Sequence, residues 1–187
     1  QAGVPYVVLE KNDGVGGTWF ENTYPGCRVD VANHFYCYSF APNPDWTEFF
    51  SQRAEITDYF ERCTHDFGIR DKIRFRTEVV SATWDDSRAL WSIRVRTADG
   101  REETLDANAI VSAVGQLNRP KIPDLRGRES FRGPQFHSAQ WRHDVDLTGK
   151  RVAVIGTGAS GFQLVPELAK VALKLFVFQR SPQWMSP

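Results

Sequence analysis

The sequence predicts an α/β fold, on three observations. Short continuous apolar runs end at glycine turns, as in strands buried on both faces of a parallel sheet. One such turn, Gly156-Thr157-Gly158-Ala159-Ser160-Gly161, stands between a strand and a helix that leads into another strand. Residues 77–106 switch instead to two-fold alternation broken by two turn signals, the pattern of an antiparallel meander. Together these read as two Rossmann-like dinucleotide-binding domains, both incomplete, with a three-stranded antiparallel β-meander inserted in the first. The expected division is residues 1–140 and residues 141–187.

In chain order, Gln1-Ala2-Gly3 reads as the tail of a helix feeding a strand at Tyr6–Glu10, and Gly14-Val15-Gly16-Gly17 as a turn. From Trp19 to Phe50 the chain is too irregular for helix or strand and too aromatic for a solvated linker. A long ordered loop packed against something flat is expected there. Ser51 offers an N-cap, and Ile56, Tyr59, Phe60, Cys63 and Phe67 recur at helical spacing, so an amphipathic helix stopped by Gly68 follows. Asp85-Asp86-Ser87 and Asp99-Gly100 divide the three strands of Thr77–Asp106, and Ala109–Val114 reads as another buried strand. A connector punctuated by Pro and Gly, Asn118–Gly149, precedes a β-α-β unit: strand Arg151–Ile155, helix Ala159–Lys170, strand Lys174–Phe178. There is no initiator Met and the sequence stops just after a strand, so it reads as an internal fragment.

Composition narrows the function classes. Lys plus Arg equal Asp plus Glu at 23 each, so no basic excess points to nucleic acid or an anionic membrane surface. No apolar run approaches the roughly 20 residues of a membrane span. The three cysteines, Cys27, Cys37 and Cys63, form no C-x-x-C pair and read as reduced thiols of a cytoplasmic protein.

The G-x-G-x-x-G match carries the most chemistry. Its first glycine permits a tight turn, its second lets backbone approach a pyrophosphate, and its third lets helix and strand pack closely. The helix N-terminus then offers free N–H groups and a positive dipole end. Arg180 stands 24 residues after Gly156, flanked by Gln179 and Ser181, where NAD sites usually carry an acid. A guanidinium suits a 2′-phosphate, so NADPH is the expected dinucleotide. Glu10, at the end of the first strand, has the opposite chemistry and suits ribose hydroxyls. As ordinary alternatives, Arg180 and Glu10 are solvated strand-end residues.

Two segments go further. Gly14-Val15-Gly16-Gly17-Thr18-Trp19 is followed by Asn22-Thr23-Tyr24-Pro25-Gly26, Asp30 and Tyr36-Cys37-Tyr38-Ser39-Phe40. Phe131-Arg132-Gly133-Pro134-Gln135-Phe136-His137-Ser138-Ala139-Gln140-Trp141 fits F-x-G-x-x-x-H-x-x-x-W just before the glycine loop. This resembles the signature of type I Baeyer–Villiger monooxygenases, and the resemblance covers essentially the whole chain. Glu10–Phe40 and Gln179–Trp184 look most like the hydroxyacetophenone-type members, which act on aryl ketones. Arg142 departs from the family, which usually has Pro or Asp after the Trp.

The resemblance implies FAD in the first domain and NADPH in the second, with one oxygen atom of O2 inserted next to a ketone carbonyl. It implies that Glu10, Gly16, Gly17, Thr18, Trp19, Asp30, Tyr36 and Val79 attend FAD. Arg28, Val29, Gln116, Thr157, Gly158, Ala159, Ser160, Gly161, Phe162, Gln163, Arg180 and Ser181 would attend NADPH. Asp30 would lie by the flavin and His137 would couple domain movement to cofactor geometry. As alternatives, Asp30 is a turn carboxylate, His137 a structural histidine, and Trp19 and Tyr36 core aromatics. The family's arginine that stabilises the negative intermediate matches no residue here, so the isolated chain is expected not to turn over substrate. Competing functions are an N- or S-oxidising flavin monooxygenase and a non-catalytic NADPH-binding remnant. An NADPH-dependent disulfide reductase would need a redox cysteine pair that this spacing lacks.

Overall fold

The computed structural model describes residues 3–117 and 119–183. In chain order the elements are β1 (Val8–Leu9), α1 (Thr18–Glu21), α2 (Arg53–Asp66), β2 (Ile73–Arg74), β3 (Thr77–Asp85), β4 (Leu90–Thr97), β5 (Glu102–Ala107), β6 (Arg151–Ile155), α3 (Ala159–Ala169) and β7 (Lys174–Phe178). They group into two compact units, each made from two separate stretches: Gln1–Gly17 with Tyr59–Asn118, and Thr18–Asp58 with Arg119–Pro187.

In the first unit, β1 pairs in parallel with β2, Val8 opposite Ile73 and Leu9 opposite Arg74. The strand expected at Tyr6–Glu10 is thus reduced to its middle. Pro5 has no N–H to donate, and β2 is two residues long, so the ladder has nowhere to extend. One more step of pairing survives as the Glu10 amide donating to the Arg74 carbonyl at 3.1 Å.

The expected meander is present: β3, β4 and β5 form an antiparallel sheet in that order, with a bulge between Val79 and Ser81. Ile93 and Val95 are its buried residues on β4. Asp85 closes the first turn by accepting from the Ser87 amide (3.0 Å), the Ser87 hydroxyl (2.6 Å) and the Arg88 amide (3.2 Å). The Ser87 hydroxyl first, and next the Arg88 guanidinium, whose Nε donates to the other carboxylate oxygen at 2.8 Å, hold its carboxyl well below the usual carboxylate range. At the second turn Gly100 takes a φ of +83°, and the Thr97 hydroxyl donates to Asp99 at 2.5 Å.

Ala109–Val114 corrects the sequence reading. No strand forms there among the described residues, and Val111 is 91% exposed. An apolar run becomes a strand only by laddering onto a bonded neighbour, and none of the seven strands pairs with this stretch.

Helix α2 buries Ile56, Tyr59 and Cys63, as its spacing predicts. It ends as expected at Gly68, whose φ of +60° lets the Gly68 amide reach His65 (2.9 Å) and the Ile69 amide reach Thr64 (3.1 Å). Two details differ. Phe67 falls beyond the last helical turn and is exposed. Ser51 does not cap the helix, which starts two residues later; its hydroxyl is taken up by the Asn33 side chain.

The second unit contains the β-α-β element with the strand boundaries the sequence predicts and a helix that ends one residue earlier, at Ala169, with Lys170 as its C-cap. Strands β6 and β7 pair in parallel from Arg151–Lys174 to Ile155–Phe178. Tyr24, Cys27, Leu164 and Leu168 form its core cluster, with Trp19, Trp141, Leu147, Val152, Val154 and Leu175 packed on it. The flat partner of the aromatic loop is therefore one face of α3 and β6.

Candidate functional site

The glycine loop of the second unit has the geometry its three glycines require. Gly156 adopts a φ of +105°, and its amide donates to the Phe178 carbonyl at 2.8 Å, tying the loop to the end of β7. A Cβ at Gly161 would collide with the Gly156 carbonyl, so helix and strand meet with no room for a methyl group. A Cβ at Gly158 would meet nothing within 4 Å, so the space beside the second glycine is open. Among the described residues, the amides of Thr157, Gly158, Ala159, Ser160 and Gly161 make no backbone hydrogen bond. They and the α3 dipole are free to hold an anion. Phe162 is 50% exposed on the first turn of α3, and its amide is used within the helix, donating to Gly158 at 2.9 Å.

The turn Tyr24-Pro25-Gly26 is pressed against α3. Gly26 has a φ of +79°, and a Cβ there would lie 2.6 Å from the Gln163 carbonyl oxygen. The Tyr24 hydroxyl donates to Gln163 Oε1 at 2.9 Å. The Gln163 amide also grips the Arg28 backbone from both sides: Arg28 N donates to Oε1 at 3.2 Å and Nε2 donates to Arg28 O at 2.8 Å. Burial pushes the Tyr24 phenol up to about 12, against the lowering effect of a hydrogen bond from Ser160. Burial also pushes the neighbouring Cys27 thiol up. Beyond the clamp, Val29 is buried at 1% exposure while Asp30 is exposed, so Val29 offers a ligand only its backbone. The Arg28 guanidinium meets Glu48 at 3.0 Å.

Trp19 and Tyr36 come together. Trp19 Nε1 donates to the Tyr36 hydroxyl at 2.9 Å, and the rings pack edge to face at 5.6 Å. Arg53 fixes this arrangement from the start of α2: its Nε donates to the Trp19 carbonyl at 2.7 Å and Nη2 to the Phe20 carbonyl at 3.1 Å. Thr57 adds a bond to the same Trp19 oxygen at 3.2 Å. The loop after Tyr36 is braced by Asn33, which donates to the Glu48 carbonyl at 2.8 Å and accepts from the Ser51 amide at 3.2 Å. Thr18 is exposed at the head of α1.

His137 begins a short helical turn: its Nδ1 accepts the Ala139 amide at 3.1 Å, and its carbonyl accepts the Gln140 amide at 2.9 Å. That nitrogen therefore carries no proton, and the side chain works as a cap. Arg180 and Ser181 are exposed just past the end of β7. Of the segment Gln179–Trp184, Trp184 lies outside the described residues, as do Gln1, Ala2 and Asn118 of the other expected segments.

In the first unit, the Glu10 carboxylate accepts the Asn12 amide at 2.8 Å through Oε1. Gly16 and Gly17 take φ values of +115° and +53°, in the region that favours glycine. Val79 and Gln116 are exposed. A cleft of about 380 Å³ adjoins the turn after β1, lined among others by Lys11, Asn12, Arg76 and Arg96.

Among the described residues there is no group of His, Cys, Asp or Glu able to hold a metal ion. No helix among them is long and apolar enough to cross a membrane. The three cysteines are free thiols. Sequence reasoning missed Arg53 and Thr57 as supports for Trp19, and Gln163 as a clamp on Arg28. A Gly26 that no side chain could replace was the one visible signal of the close approach behind that clamp.

Comparison with known proteins identifies this arrangement. The flavin-binding monooxygenase-like family matches residues 2–186. A Baeyer–Villiger monooxygenase of Streptomyces coelicolor is 48% identical over 182 residues, covering 97% of this chain and 34% of that protein. The crystal structure of OTEMO complexed with FAD and NADP superposes with a TM-score of 0.89 at 38% identity, over 100% of this chain and 36% of that one. Oxidized steroid monooxygenase bound to NADP gives 0.84 at 42% identity, over 99% and 36%. The chain spans about a third of the length of the relatives it matches. With an α/β architecture, a three-stranded antiparallel sheet and a family match along nearly all its length, the chain belongs to the flavin-binding monooxygenase-like family.

Proposed function

We propose that this chain is the nucleotide-binding part of an FAD- and NADPH-dependent Baeyer–Villiger monooxygenase, inserting one oxygen atom of O2 next to a ketone carbonyl to give an ester or lactone. One observation carries the reading: the α3 N-terminus presents unbonded amides and an open Gly158 beside a strand end that bears Arg180. That is a phosphate site with a guanidinium at hand for a 2′-phosphate. When bound, NADPH supplies hydride and FAD activates O2.

The rest of the work falls to this chain's residues. In the second unit, the amides from Thr157 to Gly161 hold the pyrophosphate, and Arg180 with Ser181 holds the 2′-phosphate. Trp19 and Tyr36 offer a fixed aromatic surface to a flavin, and Asp30 an exposed carboxylate. His137 shapes the linker rather than moving a proton. In the first unit, Glu10 keeps Oε2 for ribose hydroxyls while Oε1 holds its own turn. By cofactor, residues 1–140 serve FAD apart from Arg28, Val29 and Gln116, and residues 141–187 serve NADPH; Thr18–Asp58 shares a compact unit with the NADPH side. The substrate is an aryl ketone, and three free thiols suit a cytoplasmic location.

The test is made on the full-length protein that contains this chain. It is expected to purify with flavin absorption, to oxidise NADPH, and to convert an aryl ketone to its ester. A colourless protein that leaves NADPH untouched would overturn the reading. So would a yellow one that turns a thioether into a sulfoxide and leaves the ketone unchanged.

A further inference from the structure

Resting on the NADPH-binding reading, we infer that Gln163 is a positioning residue that holds the Arg28–Asp30 segment at a fixed setting against the phosphate-binding helix, rather than a ligand of the dinucleotide. Three of the four hydrogen-bonding positions of its side-chain amide are already used. Oε1 accepts two bonds, from the Tyr24 hydroxyl at 2.9 Å and the Arg28 amide at 3.2 Å. Nε2 donates to the Arg28 carbonyl at 2.8 Å. An amide that meets both backbone groups of one residue acts as a neighbouring strand would, fixing that peptide in position and orientation.

The residues around the clamp form a connected chain. Tyr24 bonds Gln163, and Gln163 bonds Arg28. The backbone of Gly26 lies against the Gln163 carbonyl with no space between them. Tyr24 and Cys27 are buried against Leu164 and Leu168 of the same helix. A dinucleotide seated on the first turn of α3 therefore finds Arg28 and Asp30 at a position set by the Gln163 amide. Arg28 also carries charge toward Glu48, so any slip of its backbone moves a charged pair.

The two possible roles of Gln163 differ in kinetics. A ligand residue contributes to binding, and its loss raises the dissociation constant of NADPH. A positioning residue contributes to alignment, and its loss slows hydride transfer from bound NADPH. In the full-length flavoprotein, Gln163→Met keeps side-chain length and helix preference while removing all three bonds. We expect bound FAD to be retained, with a melting temperature lowered only by the lost hydrogen bonds. Flavin reduction at saturating NADPH should slow roughly tenfold or more, with the dissociation constant changed by less than about threefold. Tyr24→Phe removes one bond and should slow reduction by a smaller factor in the same sense.

A Gln163→Met protein with an unchanged reduction rate overturns the inference, as does one whose only defect is weaker NADPH binding. Should Gln163→Met lose its flavin, Tyr24→Phe decides: an unaltered rate in that variant overturns the inference. A wild-type protein whose flavin NADPH does not bleach overturns the functional reading instead, so the two failures are distinguishable.

Discussion

The backbone at Gly26 approaches α3 so closely that a Cβ there would lie 2.6 Å from the carbonyl oxygen of Gln163. Two constraints meet at this residue, a left-handed φ of +79° and an occupied neighbour. Gly100 has the first without the second, with a φ of +83° and nothing within 4 Å. Gly100→Ala is expected to cost ~1 kcal/mol from backbone strain, and Gly26→Ala at least ~2 kcal/mol, since the turn must also lift from the helix. Urea unfolding of the two variants checks the order.

Within the glycine loop, alanine separates fold from ligand. Gly161→Ala drives a methyl into the Gly156 carbonyl and should lower the melting temperature. Gly158→Ala points its methyl into open space and should leave melting unchanged. The latter takes the room a pyrophosphate needs and should weaken NADPH binding roughly tenfold. Melting curves and dinucleotide titration, run on both variants, read the contrast.

Arg180→Glu replaces a guanidinium by a carboxylate where a 2′-phosphate is expected. NADPH affinity should fall by about tenfold or more, with NADH affected far less. Equal losses for both dinucleotides would mean that Arg180 does not meet that phosphate.

Alkaline pH should unfold the protein partly through Tyr24. Its phenol is raised from 10.0 to about 12, so the folded state keeps a proton that the unfolded chain releases first. That contribution is whole below pH 10, and is lost as pH rises through about 12. Cys27, raised by the same burial, adds a loss of the same sign. Tyr24→Phe should flatten the decline, measured as unfolding free energy against pH over that window.

Thiol reactivity should follow burial. Cys27 and Cys63 are buried, and Cys27 resists ionisation, whereas Cys37 is half-exposed. Brief alkylation of the native protein is expected to label Cys37 first, with mass spectrometry locating the adduct. Early labelling of Cys27 would contradict its burial.

Much of this architecture was legible because its signals are local. The meander turns are written in Asp85-Asp86-Ser87 and Asp99-Gly100, and the β-α-β unit in one glycine motif and two apolar runs. Ala109–Val114 misled because apolarity states a preference, while a strand needs a bonded neighbour. Ser51 misled because its side chain had a competing partner 18 residues away, in Asn33. Within the candidate site, the glycine loop and its turn geometry could be read directly. The supports could not: Arg53 reaches Trp19 across 34 residues and Tyr24 reaches Gln163 across 139, and nothing local marks either pair.

The interleaving of the two units has a consequence for biosynthesis. As the nascent chain leaves the ribosome, Tyr24 and Cys27 emerge well over a hundred residues before Leu164 and Leu168, the helix residues that enclose them. The residues from Thr18 to Asp58 must wait, aromatic and unsheltered, while the meander is translated and completes its own local pairing. Closing so long a loop is slow. During that interval the aromatic stretch lacks its helix partners and is open to aggregation if synthesis stalls.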